Sequence, residues 1–327
     1  MRFAGIVILL IIAVALALAV GARSIPPRIF LEALTHYDQT DPAHVTVAAI
    51  RMPRLFAGLI AGAALGVAGT VMQAITRNPL ADPGILGVNS GAAFALLLGT
   101  TLLGRSDQAM VALLTFPGAA IASIIVFALG GGLRGDVGPV RLTLAGAALN
   151  ALLLSLVTAL VLVRQDSLEV FRFWVAGSLT QATTRPLMEM AMVASVGGLA
   201  ALAIAPQIEA LSLGSALSRG LGTRPGRVQA GALAVVTLTT GAAVAVAGPI
   251  AFLGLMVPPL ARLIVGHWLR MELIVSAILG ATILLFADVL GRVVMAPSEV
   301  RAGIMTALLG GPVFLWVARR LRPGAQS

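Results

Sequence analysis

Long apolar runs alternate with short polar breaks along almost the whole chain. A helix needs about 20 apolar residues to cross the hydrocarbon core of a membrane, and most of these runs approach that length. The runs predict spans near residues 3–22, 54–75, 84–103, 109–131, 141–163, 187–205, 229–248, 251–266, 271–291 and 302–318. The eighth run is short and begins beside Pro249, so we expect that helix to be bent or to cross only in part. The pattern therefore predicts an all-α membrane protein of about ten transmembrane helices, with residues 1–327 forming a single transmembrane domain.

The composition indicates that lipid is the main solvent. Hydrophobic residues make up 59% of the 327 residues and charged residues only 11%, whereas a soluble domain carries about 25% charged residues. The first run follows Arg2 and resembles a signal peptide, but its length of about 18 residues favours a helix that is retained. The absence of cysteine from the sequence excludes disulfides, thiolate metal sites and cysteine nucleophiles.

All 22 basic residues are arginines, and the net charge is +9. In a soluble protein this balance would indicate nucleic acid as a partner. Here the arginines lie in short breaks between apolar runs, where they orient the chain in the membrane, so no nucleic acid is expected. The clearest cytoplasmic signals are residues 319–322 and the polar stretch 206–228.

A weak internal repeat divides the chain into two halves. Residues 62–69 match residues 241–248 at six of eight positions, and a proline follows ten residues after the last glycine in each copy. The copies lie in the second and seventh predicted spans, so each half holds five spans. An odd number of spans predicts two inverted five-helix halves, as in many transporters. A chance match between segments rich in Ala, Gly and Val is the alternative.

Glycine recurs at every fourth position of the second predicted span, at Gly58, Gly62 and Gly66, and Gly69 follows nearly one turn later. Helices in lipid associate by close packing, which small residues on one face permit. We therefore expect the second span to pack closely against other helices, whatever the protein does.

The fifteen residues 73–87 end this span with two prolines, two glycines and several polar side chains. A simple turn needs about four residues, and irregular backbone at membrane depth is tolerated only inside protein or along a watery path. The stretch is interpreted as a shaped element such as a gate, with an ordinary loop stiffened by proline as the alternative.

Charged residues near span ends fall into two groups. Asp288 and Arg292 lie four residues apart on one helical face, a spacing that favours a structural ion pair over a proton relay. Arg51, Arg54 and Arg292 all fall on the same predicted outer face. Because arginine suits paired recognition of carboxylates, these three are candidates to receive carboxylates from a soluble partner.

Several other chemistries are not predicted. The sequence has no G-x-x-x-x-G-K-[ST] phosphate loop, so the chain is not expected to hydrolyse a nucleotide. Its three histidines are scattered, and we expect no metal site, no catalytic residue and no cofactor. Of the ionisable residues, only Asp288 approaches the middle of a predicted span, which makes ion-coupled transport a weak alternative. A membrane-embedded enzyme would need converging acids, histidines or serines, and no such set is recognised.

Six motifs in the same order resemble the permeases of iron-siderophore, haem and vitamin B12 importers, the FecCD family. The resemblance covers nearly the whole chain and rests on residues 51–54, 62–73, 78–87, 211–222, 247–258 and 299–314. It implies ten helices per subunit, a second permease subunit as a homodimer or close heterodimer, two ATPase subunits, and a periplasmic or lipoprotein binding protein. It also implies a multi-pass protein of the bacterial cytoplasmic (inner) membrane.

The resemblance further assigns roles to individual residues. It implies that Arg51, Arg54 and Arg292 receive glutamates of the binding protein, and that residues 206–228 form a cytoplasmic coupling loop for the ATPase. The residues implied for ATPase coupling are Leu213, Gly214, Leu221 and Gly222. The residues implied for a cytoplasmic gate along the pathway are Asn78, Pro79, Leu80, Pro139 and Val140. Pro139 and Val140 replace small hydroxyl residues of relatives, so the chemistry of that part of the gate differs here.

The expected cargo is a ferric siderophore, with haem, vitamin B12 or another metal chelate as the alternatives. The pathway is expected to be nearly uncharged and built from Ala, Gly, Thr, Gln and Met. Such a lining suits a bulky amphipathic chelate better than the stepwise coordination of a bare ion.

Overall fold

The computed structural model describes residues 2–21, 25–103, 108–132, 138–163, 168, 171–172, 174–212, 214–220 and 222–320. This part of the chain contains helices and no β-strand, which confirms the predicted all-α class. The α-helices are α1 (Arg2–Ala19), α2 (Pro27–Thr35), α3 (Pro42–Val45), α4 (Met52–Thr76), α5 (Val88–Leu103), α6 (Gln108–Leu129), α7 (Pro139–Val163), α8 (Leu187–Ser212), α9 (Ser215–Gly220), α10 (Pro225–Ala247), α11 (Leu253–Val265), α12 (Leu269–Val294) and α13 (Ala302–Arg320). A π-helical segment, Thr46–Arg51, joins α3 to α4, and 3-10 helices occupy Pro83–Leu86 and Ala182–Thr184.

Every predicted span coincides with a helix of the structure. Among the described residues, six helices are long and apolar enough to cross a membrane. Shorter apolar helices coincide with the other four predicted spans. The long ones are Pro42–Thr76, Val140–Val163, Leu187–Ser212, Pro225–Ala247, Leu269–Val294 and Ala302–Arg319. The eighth predicted span is one of the short helices, α11, with 13 residues. It starts after the backbone turns at Gly248 (φ 72°), which ends α10.

Helix α4 lies at the centre of the fold and packs against α8, α10, α11 and α12. The glycine face predicted for it is present. A methyl group on Gly62 would lie 2.6 Å from the Cα atom of Ala281, and one on Gly66 would lie 2.1 Å from the carbonyl oxygen of Ser276. The backbones of α4 and α12 therefore touch, at a separation that no larger residue would allow.

Helical structure extends beyond the predicted spans in two places. Residues 23–50 contain α2 and α3, and α8 extends to Ser212 instead of ending near residue 205. Ile208 and Leu211 are buried on the face of α8 that packs on the protein, so the amphipathic spacing continues past Pro206. Gln207 and Ser212 are exposed and Glu209 contacts the start of α12, so polar side chains interrupt the apolar run before the helix ends.

Contacts between helices define two ends of the molecule. At one end, Arg54 of α4 reaches Asp288 of α12. At the other, Arg77, which follows α4, reaches the carbonyl oxygen of Leu211 at the end of α8. We call these the Arg54 end and the Arg77 end. The stretch 206–228 thus lies beside the turn that follows α4.

The two segments of the internal repeat lie in α4 and α10, which pack against each other. Their ends differ, because α4 continues for seven residues beyond Gly69 whereas α10 ends one residue before Gly248. The inverted relation of the two halves remains a prediction.

We predict that Gly66→Ala destabilises the protein, because its methyl group would overlap the carbonyl oxygen of Ser276. Overpacking of this kind costs about 1–3 kcal/mol, and thermal unfolding in detergent would measure it as a lower Tm. Gly198→Ala in α8 is the matched control, since no atom lies within 4 Å of its added methyl group. The control is expected to keep or raise the Tm, because alanine favours helix over glycine. Equal Tm values for both variants would contradict close packing at Gly66.

Candidate functional site

A buried cluster of ion pairs occupies the Arg54 end. Arg54 places its Nη2 atom 2.8 Å from Oδ1 of Asp288 and its Nη1 atom 2.8 Å from Oε2 of Glu299. Its Nε atom also donates to Asp288, at 3.0 Å from Oδ2. The guanidinium of Arg54 therefore bridges α12 and the segment between α12 and α13. Residues separated by 234 positions in the sequence form its main contact.

Arg292 shares the carboxylate of Asp288 and also holds the end of α1. It donates to Asp288 from Nε, at 3.1 Å, and from Nη2. Its Nη1 atom donates to the carbonyl oxygens of Ala17 and Val20, at 2.8 and 3.0 Å. This geometry confirms the predicted pairing of Asp288 with Arg292. The contacts suit a cation at a helix C-terminus, where carbonyl groups lack helical partners.

The three arginines predicted to dock a partner come together at this end, but they are buried. Arg51, whose Nη1 atom donates to the carbonyl oxygen of Leu18, is 5% exposed, while Arg54 and Arg292 are 8% and 4% exposed. With Asp288 and Glu299 they form a group of formal charge +1, three cations against two anions. Glu299 is the accessible member, with 30% of its side chain exposed.

A second polar network lies within the bundle near the Arg77 end, and the sequence analysis did not identify it. Arg262 of α11 donates to Oε1 of Glu272 in α12 at 2.8 Å and to Oε1 of Gln73 in α4 at 2.6 Å. Gln73 in turn donates to the carbonyl oxygen of Leu255, at 3.1 Å. Glu272 lies in the first turn of α12 and is 4% exposed. The signal was present, because Arg262 and Glu272 lie in or at the edge of adjacent predicted spans.

The turn predicted as a shaped element begins at Arg77, which adopts a left-handed backbone conformation (φ 51°, ψ 32°). This conformation costs a non-glycine residue about 1–2 kcal/mol. Asn78 then closes a tight turn, since its Oδ1 accepts a hydrogen bond from the backbone nitrogen of Leu80 at 2.9 Å. Leu80 is 37% exposed, so an apolar side chain stands at the tip of the turn.

Asp82 fixes the chain after this turn by capping the 3-10 helix Pro83–Leu86, where it accepts a hydrogen bond from the nitrogen of Gly84 at 2.7 Å. Burial raises the pKa of the Asp82 carboxyl, and the hydrogen bond from Gly84 opposes that rise. The interruption between α4 and α5 is thus an ordered structure rather than an open loop.

The second part of the predicted gate lies near the first. Helix α7 begins at Pro139 and Val140, and Val140 is 71% exposed. Further along α7, Gly146 packs on the 3-10 helix, where a methyl group would lie 1.9 Å from the carbonyl oxygen of Ile85. This contact brings the start of α7 to the Arg77 end, close in space to the turn that carries Leu80.

The predicted coupling residues surround α9, the short helix between α8 and α10. Gly214 and Gly222 flank it with φ angles of 103° and 79°, which glycine adopts without strain. No atom lies within 4 Å of a methyl group added to either residue. The other two predicted coupling residues, Leu213 and Leu221, lie outside the described residues. The stretch 206–228 is therefore a helix–turn–helix–turn–helix rather than a loop.

A further buried cation, Arg185, lies just before α8. Its Nη2 atom donates to Oε1 of Gln181 at 3.1 Å, and its Nε and Nη1 atoms have no hydrogen-bond partner among the described residues. Burial lowers the pKa of Arg185 to about 10, so the guanidinium remains charged at neutral pH. The adjoining 3-10 helix Ala182–Thr184 contacts α4 and the π-helical segment, which assigns Arg185 to the Arg54 end.

Comparison with known proteins identifies the family. Residues 9–320 match the FecCD transport family. The chain is 43% identical to the ferric enterobactin transport system permease protein of Escherichia coli (strain K12), over 98% of this chain and 95% of that protein. It is 39% identical to the hemin transport system permease protein of Yersinia pestis, over 84% of this chain and 83% of that protein.

The fold has a match among solved structures. An inward-facing conformation of a metal-chelate type ABC transporter superposes with a TM-score of 0.83 at 25% identity, covering 98% of this chain and 99% of that one. The helices and these relatives define a multi-pass membrane permease, the subunit of a metal-chelate ABC importer that forms the pathway rather than an enzyme. The chain belongs to the FecCD transport family.

We predict that Asp288→Asn destabilises the protein by about 3–5 kcal/mol, because it leaves Arg54 and Arg292 buried with too little negative charge. Unfolding of the detergent-solubilised chain, followed by circular dichroism, would measure the loss. Glu189→Gln, which removes the same charge from an exposed position of α8, is the control and is expected to change stability by less than about 0.5 kcal/mol. Equal stability of the two variants would contradict a structural role for the cluster.

Proposed function

We propose that this chain carries a ferric siderophore across the bacterial cytoplasmic membrane, as one of two permease subunits driven by two copies of a separate ATPase. The observation that carries the proposal is the 43% identity to the ferric enterobactin permease over nearly the full length of both chains. The chain's own sequence has no phosphate loop, so ATP hydrolysis falls to the partner ATPase. A soluble binding protein delivers the chelate at the Arg54 end.

Charge at the Arg54 end favours an anionic chelate over an uncharged one. Arg185 has no carboxylate partner in the described part of the chain, and the cluster around Arg54 carries a formal charge of +1. Ferric siderophores with anionic oxygen ligands suit such an entrance, because guanidinium groups recognise anionic oxygens strongly. Haem remains the second candidate, since it is also anionic and a hemin permease is among the relatives.

The binding protein would dock on the cluster around Arg54. One of its carboxylates would replace Glu299 as a partner of Arg54. Arg51, Arg54 and Arg292 are the proposed receivers of carboxylates, and in the free chain Glu299 already holds Arg54 at 2.8 Å. Since Glu299 is partly exposed, a carboxylate of the binding protein can replace it without exposing the pair of Arg54 with Asp288. Reversing the charge of Arg54 would instead bring three carboxylates together and unfold this end.

The turn Asn78–Leu80 and the start of α7 are the proposed gate at the cytoplasmic side. Both carry exposed apolar side chains, Leu80 and Val140, and both lie at the Arg77 end. Apolar side chains from two permease subunits can meet on the axis between them and close the pathway to water. The ATPase would dock on residues 206–228, with the exposed helix α9 between Gly214 and Gly222 as the contact.

Cargo choice is tested by uptake into liposomes that contain the permease with its ATPase and binding protein. We expect ferric enterobactin to be imported when ATP is present and to reduce the import of other chelates. Haemin, ferrichrome and vitamin B12 at equal concentrations are the comparison cargoes. A preference for haemin would support the second candidate, and import of vitamin B12 alone would contradict a charge-selected pathway.

The docking proposal predicts that Glu299→Gln strengthens binding of the carrier protein. The variant frees Arg54 from a competing carboxylate that, as a partly exposed partner, is worth about 0–1 kcal/mol, so affinity should rise up to about fivefold. Surface plasmon resonance on the reconstituted permease would measure the change. Glu189→Gln controls for the general loss of negative charge. Weaker docking by Glu299→Gln than by the control would count against the exchange.

The gate proposal predicts that, in Leu80→Cys, the introduced cysteine forms a disulfide with the same cysteine of the second permease subunit in the closed state. Because the natural chain has no cysteine, any disulfide reports the introduced pair alone, and it forms only if the Cα atoms come within about 7 Å. Leu199→Cys, 67% exposed on α8, is the control and should not crosslink. Crosslinking should stop transport. If Val140→Cys crosslinks and Leu80→Cys never does, the gate lies at the start of α7 instead.

A further inference from the structure

We propose that Arg77 is a positioning residue that transmits movement of the ATPase-docking segment to the gate turn. The proposal rests on the proposed function of those two segments. It follows from one contact, the hydrogen bond from Nη2 of Arg77 to the carbonyl oxygen of Leu211, which joins the end of α4 to the end of α8.

The residue type at position 77 is unexpected for its backbone. Arg77 ends α4 in the left-handed region (φ 51°), where glycine is the usual residue because it has no Cβ atom. A glycine would form the same helix end with less strain. An arginine here is explained by what its side chain reaches, since a guanidinium at the C-terminus of α8 satisfies a carbonyl group left free there.

On the α8 side, the contact point lies close along the chain to the proposed docking helix. Leu211 is 7% exposed and lies one residue before the end of α8, and α9 begins three residues after that end. The same part of α8 is held to α12, because Oε1 of Glu209 accepts a hydrogen bond from the nitrogen of Leu269 at 2.7 Å. Only three positions separate Leu211 from the first residue of α9, so a displacement of α9 by a docked ATPase would act on Leu211 over a short stretch of chain.

On the α4 side, the contact is made next to a turn that its own hydrogen bonds hold together. The nitrogen of Leu80 donates to Oδ1 of Asn78, and the nitrogen of Ala81 donates to the carbonyl oxygen of Asn78 at 3.1 Å. The preceding turn of α4 is anchored by Met72 and Gln73, which are buried in the bundle. Arg77 thus lies between a fixed helix and a compact turn, at the point where the backbone departs from helical geometry.

The experiment must separate this role from that of a simple helix cap. Arg77→Gly and Arg77→Asn both keep a residue that tolerates the left-handed conformation, so either should preserve the helix end. Neither can reach Leu211. Arg77→Lys keeps the charge and one donor and is the conservative variant. Arg77→Gly and Arg77→Asn therefore retain the helix end of α4 but lose the contact with Leu211.

The first measurement is the number of ATP molecules hydrolysed per ferric enterobactin imported by reconstituted liposomes. We expect this number to rise severalfold in Arg77→Gly and in Arg77→Asn, because ATP hydrolysis would then move the gate turn in fewer cycles. ATP hydrolysis itself should continue. Arg77→Lys should restore part of the coupling. An unchanged ratio in both the glycine and asparagine variants would overturn the proposal.

The second measurement needs no cargo, so failure of the cargo assignment and failure of this inference are distinguishable. Spin labels at Leu80 and at Leu217, an exposed residue of α9, report the distance between the turn and the docking helix in one chain. Labelled chains are diluted with unlabelled ones to remove distances between subunits. With Arg77 present, this distance should stay constant when the ATPase binds ATP. In Arg77→Gly it should change, and equal behaviour of both proteins would overturn the proposal.

Discussion

The contact between the backbones of α4 and α12 is the constraint on which the rest of the structure depends. Gly62 and Gly66 bring α4 so close to Ala281 and Ser276 that a single methyl group does not fit between them. Lipid is itself apolar, so burying apolar side chains between helices gains little free energy there. Close packing is therefore a main source of helix association in a membrane. It also determines which polar groups meet at each end of the pair, Arg54 with Asp288 and Gln73 with the Arg262–Glu272 pair.

The two carboxylates that this packing buries most deeply have arginine partners from other helices. Asp288 is 1% exposed and lies between two arginines, and Glu272 is 4% exposed and lies beside Arg262. A charge left alone in such surroundings would cost several kcal/mol. The ion pairs therefore specify how the helices align along their length, which packing by glycine alone does not do. They also allow the charged cluster around Arg54, the proposed docking site, to be part of the fold.

The sequence predicted the features that depend on local pattern. The ten apolar runs, the glycine face of α4 and the pairing of Asp288 with Arg292 all follow from spacings of four residues or from the length of a run. Partners far apart in the chain could not be predicted in this way. Arg54 and Asp288 are separated by 234 residues and Gln73 and Arg262 by 189, and no local rule relates them.

Local pattern also failed where helices leave the apolar region. The helical end of α8 was not predicted, because Gln207 and Glu209 interrupt the apolar run although the helix continues through them. The left-handed Arg77 gave no signal in the sequence, since arginine is not a residue that usually marks this conformation. Its position is determined by the side chain's contact with α8, which only the fold reveals.

Helix α4 joins the proposed docking end to the proposed gating end, and we expect it to act as a rigid helix between them. Changes caused by ATP then belong to the turn after Thr76, not to the helix. Hydrogen–deuterium exchange on the reconstituted permease, with its ATPase in the presence and absence of ATP, tests this most directly. We predict that amides of residues 58–72 stay in the slowest class in both states while those of residues 77–82 change. Faster exchange within 58–72 on addition of ATP would contradict the account, because α4 itself would then open during transport.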